Sequence, residues 1–369
     1  MTINTSSPRR ILFLQNRSHK AGAQTCLWRM LVQCRQQGVW EPLLVTSRAG
    51  WLTEACATEG IPCLIHPFPS SRSLWGRLYG NGHFVKQVLD RVAAQNFQPQ
   101  LVQGNDYSEG LLTLLMAKRL QVPASVLLRD PRLRRGDYFK YGCDRCNLVV
   151  TIGETLQQAV AGWDATHSIH AVHDGVLSHE VLTPRLVQAA FPQQILVIGS
   201  HLPHKGWLDM VRALLHLEQK GFVFSGLRFD FTGVADEKSN PLPVQCLQSC
   251  TTRFLGRVDS FQALLQQYDL VINPSRQETF GMAAVETIAA GTSLLSSRSG
   301  IIEQVIEDPR FLYPPGDVEQ LADRLEQILL HWPDVGLDLA SCQKNIVNRF
   351  HVMQTISKIE HLYQKLHDS

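Results

Sequence analysis

Residues 270–291 read LVINPSRQETFGMAAVETIAAG, a short apolar run followed by a polar loop and an Ala-rich stretch that stops at a glycine. The apolar run indicates a buried strand, and the stretch that starts near Gly281 predicts a helix with Gly291 as its C-terminal cap. The same strand–loop–helix unit recurs along the chain, beginning with an apolar run at 11–14 and an amphipathic stretch at 24–37. Strands that alternate with helices predict parallel sheets covered on both faces.

A polar, proline-containing stretch at residues 178–194 separates two series of such units. We therefore predict an α/β protein with two Rossmann-like, doubly wound domains, at residues 1–182 and 190–345. A helical segment at 346–369 is expected to pack back toward the first domain. Because ligands of open α/β sheets collect beyond the carboxyl ends of the strands, the sequence predicts a site in the crevice between facing domains.

The composition is that of an ordinary globular protein. The chain has 369 residues, of which 44% are hydrophobic and 18% charged, enough to fill two cores. No run approaches the roughly 20 apolar residues of a membrane span, and the first apolar run is too short for a signal peptide. Nine scattered cysteines indicate reduced thiols and not a disulfide framework. We expect a cytoplasmic protein.

The net charge of +2 hides an uneven distribution. Residues 1–185 carry 20 basic and 13 acidic residues (+7), and residues 186–369 carry 15 and 20 (−5). The basic excess peaks at 129–145, which is either a solvated loop and helix face or a surface for phosphates or an anionic membrane. Peripheral contact with the inner membrane face is therefore one expectation, and no nucleic-acid partner is expected.

Two families of nucleotide-binding motif are missing. The chain has no Gly-x-Gly-x-x-Gly after its first strand and no Gly-x-x-x-x-Gly-Lys-[Ser/Thr], which disfavours dinucleotide dehydrogenases and P-loop NTPases. His167, His170 and His173 are spaced along a predicted strand, and Cys143 and Cys146 lack a second cysteine pair at zinc spacing. We interpret Cys143, Cys146, Cys246 and Cys250 as structural, and we expect no metal site.

The loop Thr279-Phe280-Gly281 leads into the N-terminus of the Ala-rich helix. Backbone N–H groups and the positive end of the helix dipole suit a phosphate there. Glu278 precedes this terminus, and Glu286 lies about 7.5 Å along the axis inside the helix. The two carboxylates can bracket a diphosphate, one holding ribose hydroxyls and the other a sugar. Alternatively Glu278 complements the helix dipole and Glu286 is a surface residue, although the apolar neighbours of Glu286 argue against that.

Glu278 and Glu286 resemble the Glu-x7-Glu signature of the family 4 retaining glycosyltransferases, or glycosyl transferases group 1, of the GT-B fold. Five more segments are similar to motifs of this family, in the family's order: AGAQ at 21–24, DGV at 174–176, GSHLPHKG at 199–206, FLGRV at 254–258 and SGIIE at 299–303. Together these motifs cover about residues 10–365.

The resemblance implies transfer of a sugar from a nucleotide-sugar donor to an acceptor, with retention and without a metal or other cofactor. It implies that Lys205, with the amides of Phe280, Gly281 and Met282, neutralises the leaving diphosphate. Glu278 then contacts the transferred sugar and Glu286 the ribose, and no residue acts as a covalent nucleophile. Further donor contacts fall to the family's diphosphate and nucleobase loops, through Gly22, Thr279, Arg257 and Val258.

The chain departs from the family pattern in three places. Ser200 stands in place of a phosphate-clamping Arg, and Arg129 in place of a donor-sugar His. Gln103 and Asn105, before Asp106, stand where related sequences often carry His. Asn105, Asp106 and Arg129 are accordingly candidates for the acceptor or sugar side of the site. The exchange of charges motivates an alternative: a GT-B protein of reduced activity that binds nucleotide-sugar as a scaffold or regulatory module. A sugar-nucleotide epimerase is a third hypothesis, for which no acid/base pair can be placed.

The acceptor remains open between a glycan, a lipid and a small molecule. The N-terminal domain normally binds it in the family. Aromatic residues in that half of the chain either stack on sugars or fill the core: Trp28, Trp51, Trp75 and Tyr79.

Overall fold

The computed structural model describes residues 8–69, 80–184, 192–233, 244–256, 258, 260–332 and 336–368. The chain divides into two compact units, residues 1–175 together with 351–369, and residues 176–350. The first unit ends at Gly175, earlier than the boundary at 182 that the sequence suggested. The reason is that the following segment bonds to the second unit, where Val176 N–H donates to Phe350 O at 2.9 Å and Leu182 N–H to Ala289 O at 2.8 Å.

The first unit is built on a seven-stranded parallel sheet with the strand order β3-β2-β1-β4-β5-β6-β7. Its strands are β1 (Arg9–Gln15), β2 (Trp40–Thr46), β3 (Cys63–Ile65), β4 (Leu101–Gly104), β5 (Ala124–Leu128), β6 (Leu148–Thr151) and β7 (Ile169–Ala171). Its first six helices are α1 (Gly22–Gln36), α2 (Trp51–Thr58), α3 (Asn81–Ala94), α4 (Gly110–Leu120), α5 (Arg135–Lys140) and α6 (Glu154–Ala161). Leu12, Leu43 and Val102 lie side by side in register and are fully buried, as expected of a sheet covered on both faces.

The second unit is built on a six-stranded sheet with the order β10-β9-β8-β11-β12-β13. Its strands are β8 (Gln194–Val197), β9 (Arg228–Phe231), β10 (Thr251–Phe254), β11 (Leu270–Asn273), β12 (Ser293–Ser297) and β13 (Leu312–Tyr313). Its helices are α7 (Trp207–Gln219), α8 (Phe261–Leu265), α9 (Met282–Ala289), α10 (Val318–Leu330) and α11 (Leu339–Arg349). All of its strand pairs are parallel, so the two units share one architecture.

The last helix, α12 (Val352–Asp368), belongs to the first unit and packs on α1. Its Glu360 is buried, where it accepts hydrogen bonds from Arg9 Nη2 at 2.9 Å and from Trp40 Nε1 at 2.8 Å. The ring of Tyr363 lies 5.8 Å from that of Trp40. A buried carboxylate is tolerated when it is paired and hydrogen-bonded, so Glu360 fixes the position of this helix on the sheet.

In a parallel sheet all loops that follow strands emerge at one edge, and the chemistry of open α/β proteins is found there. In the second unit that edge carries the loops after β8 and β11, which are neighbours in the sheet. No helix within the described parts of the chain is long and apolar enough to cross a membrane.

Candidate active site

The loops after β8 and β11 are in direct backbone contact. Gly206 has φ +71°, and a Cβ at this position would lie 1.8 Å from the carbonyl oxygen of Pro274. Arg276 N–H donates to His204 O at 2.8 Å. Only glycine therefore fits at 206, and its absence of a side chain lets the two loops meet.

A salt bridge reinforces this contact. The guanidinium of Arg276 holds the carboxylate of Asp209 through two hydrogen bonds of 2.6 Å each. Asp209 lies in the first turn of α7 and is 2% exposed. The pair ties the loop after β11 to the helix that follows the loop after β8, and a bidentate Arg–carboxylate pair fixes orientation as well as distance.

The two predicted catalytic side chains meet across these loops. Lys205 Nζ lies 2.6 Å from Glu278 Oε1. The side chains are 26% and 17% exposed, so the ion pair is half-buried. A cation and a carboxylate in contact at the carboxyl edge are suited to bind an anion and a hydroxylated group next to each other.

Helix α9 begins at Met282, four residues after Glu278. Gly281 adopts φ +92° as its N-cap, and Phe280 O accepts a hydrogen bond from Ile301 N–H at 3.0 Å. A Cβ on Gly300 would lie 2.3 Å from Phe280 O, so the 299–301 loop crosses the helix entry closely. The first N–H groups of a helix have no partner inside it, and in α9 these include the N–H groups of Met282 and the residue after it.

Glu286 is half-buried on α9, between the fully buried Val285 and Ile288. This agrees with the expectation that its helix is largely buried. Ser299, next to the helix entry, has a buried hydroxyl with no hydrogen-bond partner among the described residues. Such a group is available to a ligand hydroxyl or phosphate oxygen.

Glycines with positive φ follow three neighbouring strands of the second unit: Gly199 after β8, Gly233 after β9 and Gly256 after β10. Gly233 and Gly256 exchange two backbone hydrogen bonds of 2.7 and 2.9 Å. Because glycine carries no side chain, a flat ring can approach the backbone of Gly233 and Gly256 closely.

The indole of Trp207 lies close to Gly199. It is 1% exposed, and its Nε1 would be 3.2 Å from a Cβ on Gly199. The Nε1 has no hydrogen-bond partner within the described residues. Of the other donor-side candidates, Ser200 and Val258 are half-buried at the same edge, whereas Arg257 lies outside the described residues.

The candidates of the first unit form a buried polar chain. Arg129 is 6% exposed, its Nη1 contacts Asp174 Oδ2, and its Nε donates to Asn105 Oδ1 at 3.1 Å. Asn105 is fully buried and donates to Gln15 Oε1 at 2.5 Å. The guanidinium of Arg129 is thus engaged inside the unit, joining the ends of β1, β4 and β5 to Asp174, and presents little surface to a ligand.

Two carboxyls at this edge have raised pKa values. Burial raises the pKa of Asp106 to about 6, against the opposing effect of backbone N–H groups from Tyr107 and Arg129. Burial, with the nearby Asp106, raises the pKa of Glu109 to about 8. Glu109 Oε1 accepts a hydrogen bond from Asn16 N–H at 3.1 Å, which ties it to the loop after β1. Gly22, at the start of α1 on the same edge, is exposed with no atom near its Cβ position.

Sequence reasoning missed Arg276, Asp209 and Glu109. Arg276 lies in the first loop quoted above, and Asp209 is an acidic residue among apolar ones at a helix start. The positions of these two charged residues in the sequence were enough to suggest an ion pair at the site. Glu109 carried none, because its burial depends on packing between loops far apart in sequence.

Residues 192–331 match the family model of glycosyl transferases group 1. The chain is 30% identical over 116 residues to N-acetyl-alpha-D-glucosaminyl L-malate synthase of Bacillus anthracis, covering 30% of this chain and 29% of that protein. It is 39% identical over 146 residues to glycogen synthase of Mycobacterium tuberculosis, covering 37% and 34%. The matches thus span about a third of the length of these relatives.

Solved structures match over almost the whole chain. HepE of Anabaena in complex with UDP and glucose superposes with a TM-score of 0.77 at 17% identity, covering 96% of this chain and 99% of that one. Sucrose-phosphate synthase from Thermosynechococcus elongatus gives 0.70 at 15% identity, covering 98% and 99%. The match to the glycosyl transferases group 1 is thus confined to residues 192–331. The solved structures show that the chain, with its two parallel α/β sheets, shares the GT-B fold.

Proposed function

We propose that this protein transfers a sugar from a nucleotide diphosphate sugar to an acceptor hydroxyl, with retention of anomeric configuration. The observation that carries the proposal is the contact of 2.6 Å between Lys205 Nζ and Glu278 Oε1. It lies at the entry of α9, inside the segment that matches the glycosyl transferases group 1.

The Lys205–Glu278 pair is a resting arrangement that a donor rearranges. A diphosphate carries more negative charge than one carboxylate, so it competes with Glu278 for the ammonium of Lys205. Once Lys205 turns to the phosphates, Glu278 is released to accept hydrogen bonds from hydroxyls of the sugar. The same event therefore places the leaving group on a cation and the sugar on a carboxylate.

Charge develops on the diphosphate as the sugar–phosphate bond breaks. Lys205 and the N–H groups at the start of α9 stabilise that charge, and fixed donors in a half-buried site need little reorganisation. Ser200 contributes no charge, so in this proposal Lys205 and the helix terminus alone stabilise the negative charge of the diphosphate. We propose that these groups suffice without a divalent metal.

The remaining donor contacts follow from the position of each group. Glu286, inside α9, is proposed to hold the ribose. The glycines Gly233 and Gly256, with Val258, are proposed to receive the nucleobase, because a flat ring can approach glycine backbone closely. HepE of Anabaena was solved with UDP-glucose, which makes UDP-sugars the first donors to test.

A thermal-shift series with UDP-, GDP- and ADP-sugars tests donor binding. A ligand that binds only the folded state raises the melting temperature, and the rise grows with the ratio of ligand concentration to Kd. Turnover is then measured as release of nucleoside diphosphate. Stabilisation by one nucleotide class together with turnover supports the proposal. No stabilisation by any nucleotide or nucleotide sugar contradicts it.

A second candidate is a nucleotide-sugar-binding module of reduced activity. The uncharged Ser200 and the internal pairing of Arg129 favour it, since neither supplies a charge to a ligand. Calorimetry that shows nucleotide-sugar binding with no donor consumption, for any acceptor, would select this function over transfer.

A further inference from the structure

Two loops of the first unit form a joined platform at the carboxyl edge of its sheet. They are residues 16–21, after β1, and residues 47–50, after β2. Ser47 Oγ donates to Asn16 O at 2.5 Å, and Leu52 N–H donates to Ser18 O at 2.9 Å. A Cβ on Gly50 would lie 2.8 Å from Ser18 Oγ and 3.1 Å from Ser18 O, so the two loops are in close contact at Gly50.

The platform presents positive charge without acidic residues. Its two loops hold Arg17, Lys20 and Arg48 and no Asp or Glu. Arg17 and Arg48 are exposed, and within the described residues neither has a carboxylate in salt-bridge contact. Charges of one sign gathered at the ligand-binding edge of a sheet set up a field that attracts anions.

Two indoles lie next to these cations. Lys20 Nζ is 5.5 Å from the centre of the Trp51 ring, and the rings of Trp28 and Trp51 meet edge to face at 6.2 Å. Trp28 Nε1 donates to Ala55 O at 3.3 Å, and both rings are half-buried. The indoles are thus held in place, with part of each still open to solvent.

We propose that this platform binds an acidic saccharide, a sugar chain that carries carboxylate or sulfate groups, as the acceptor of the transfer. The proposal rests on the proposed glycosyltransferase function and names its acceptor class. An indole presents an apolar face to the C–H side of a sugar ring, and the three cations pair with its acid groups. A neutral sugar would use only the indoles.

The observations favour a saccharide over a lipid bilayer as the partner of the platform. Insertion into a bilayer interface needs protruding apolar side chains. Among the described residues the large exposed apolar side chains of the first unit are Ile65 and Phe139, and neither belongs to the platform. The rings of Trp28 and Trp51 pack edge to face against each other instead, an arrangement that suits stacking on a sugar ring.

Binding of the full chain to hexasaccharides, without donor, tests the proposal by calorimetry. The acidic probes are a glucuronate–N-acetylglucosamine, a mannuronate and a sulfated heparin hexasaccharide, and chitohexaose is the neutral control of equal length. We expect at least one acidic probe to bind at least about tenfold tighter than chitohexaose and to weaken with salt. Comparison of the acidic probes distinguishes carboxylate from sulfate recognition.

Variants locate the binding. Lys20→Ala and Arg48→Ala are each expected to weaken the acidic probe about fivefold, and Trp51→Ala about tenfold. Gly50→Ala is expected to weaken it without removing any charge, because the loops are pushed apart. The matched controls Lys118→Ala and Arg119→Ala lie exposed at the end of α4, at the opposite edge of the sheet, and should leave binding unchanged.

Three outcomes would overturn the proposal: no binding of any acidic probe, equal binding of acidic and neutral probes, or loss of binding in the controls as much as in the platform variants. Binding to phosphatidylglycerol vesicles that is lost in the platform variants, without saccharide binding, would assign the surface to a membrane. The outcomes are separable from the proposed function, because nucleotide binding and donor turnover are measured through Lys205 and Glu278 of the second unit.

Discussion

The ion pair between Lys205 and Glu278 gives the two residues opposite expectations in binding and turnover. In the proposed function Glu278→Ala removes the carboxylate that holds the sugar, so kcat should fall at least about 100-fold. The same change frees Lys205 of its competitor, so the affinity for nucleoside diphosphate should stay equal or rise. Steady-state turnover and calorimetry with the diphosphate measure the two effects. The surface pair Lys220–Asp323, 3.3 Å apart, offers Asp323→Ala as a matched control.

A loss of both turnover and diphosphate affinity in Glu278→Ala would contradict the exchange of partners at Lys205. Lys205→Ala should instead lose diphosphate affinity, because the cation itself is removed. The split between the two variants is what a merely structural ion pair would not produce.

Glu109 should make the stability of the protein depend on pH. Its folded pKa of about 8 lies above its ordinary value of 4.5, because burial favours the protonated form. The stabilisation is therefore full below pH 4.5 and is lost as pH rises toward 8. Glu109→Gln keeps an acceptor for Asn16 N–H but cannot ionise. In urea unfolding, the free energy of unfolding of Glu109→Gln should rise relative to that of the wild type by about 1 kcal/mol per pH unit within this window.

Taking the difference between variant and wild type cancels other titrating groups, including Asp106. Glu54→Gln on the exposed face of α2 serves as the control, because it makes the same substitution on a different, exposed element. If the difference in free energy of unfolding between wild type and Glu109→Gln does not change from pH 5 to 8, Glu109 is ionised in the folded protein over that range.

At the scale of elements, the loops after β8 and β11 are held together by the bidentate salt bridge between Arg276 and Asp209. Arg276→Ala leaves Asp209 buried without its partner, and we expect a loss of about 1–2 kcal/mol, reduced from that of a fully buried pair because Arg276 is half-exposed. The loosened loops should also lower kcat/KM, since Lys205 and Glu278 are carried by them. Arg276→Lys should restore part of both.

Denaturant unfolding and donor turnover measure these effects. Arg310→Ala breaks an exposed pair with Asp308 in the same unit and should change neither quantity by much. Wild-type turnover in Arg276→Ala, with lowered stability, would reduce the Arg276–Asp209 pair to a structural role.

The strands and helices could be predicted from the sequence because the spacing of apolar residues differs between a strand and a helix. The strand run at 270–272 and the helix before Gly291 appear as β11 and α9. The order of strands in each sheet was not readable, because it depends on contacts between distant segments. The environment of Arg129 was hidden for the same reason: its partner Asp174 lies 45 residues away in sequence.

The candidate site was readable only where local motifs marked it. Glu278 and Lys205 stood out within short, recognisable loops, and the structure brings them into contact. Their catalytic roles and those of the other candidates remain predictions. Arg129, selected as a ligand-facing charge, is instead engaged inside its own unit, which sequence position alone does not reveal.

At the scale of the whole molecule, charge separates the two units. By the structural boundaries the first unit has 21 basic and 14 acidic residues (+7), and the second has 14 and 19 (−5). An anionic donor bound to the second unit is attracted locally by Lys205 and the helix terminus but repelled by the net charge around it. An acidic saccharide on the first unit is attracted by both the local cations and the net charge.

Salt should therefore act differently on the two ligands. For the saccharide, salt screens attraction alone, and we expect its affinity to fall at least about tenfold between low and high ionic strength. For the nucleoside diphosphate, salt screens both the local attraction and the wider repulsion, and the half-buried Lys205 is screened less than an exposed charge. We expect its affinity to change by less than about threefold over the same range. Calorimetric titrations of both ligands in one salt series measure the two slopes, and equal slopes would mean that the net charges of the units do not govern binding.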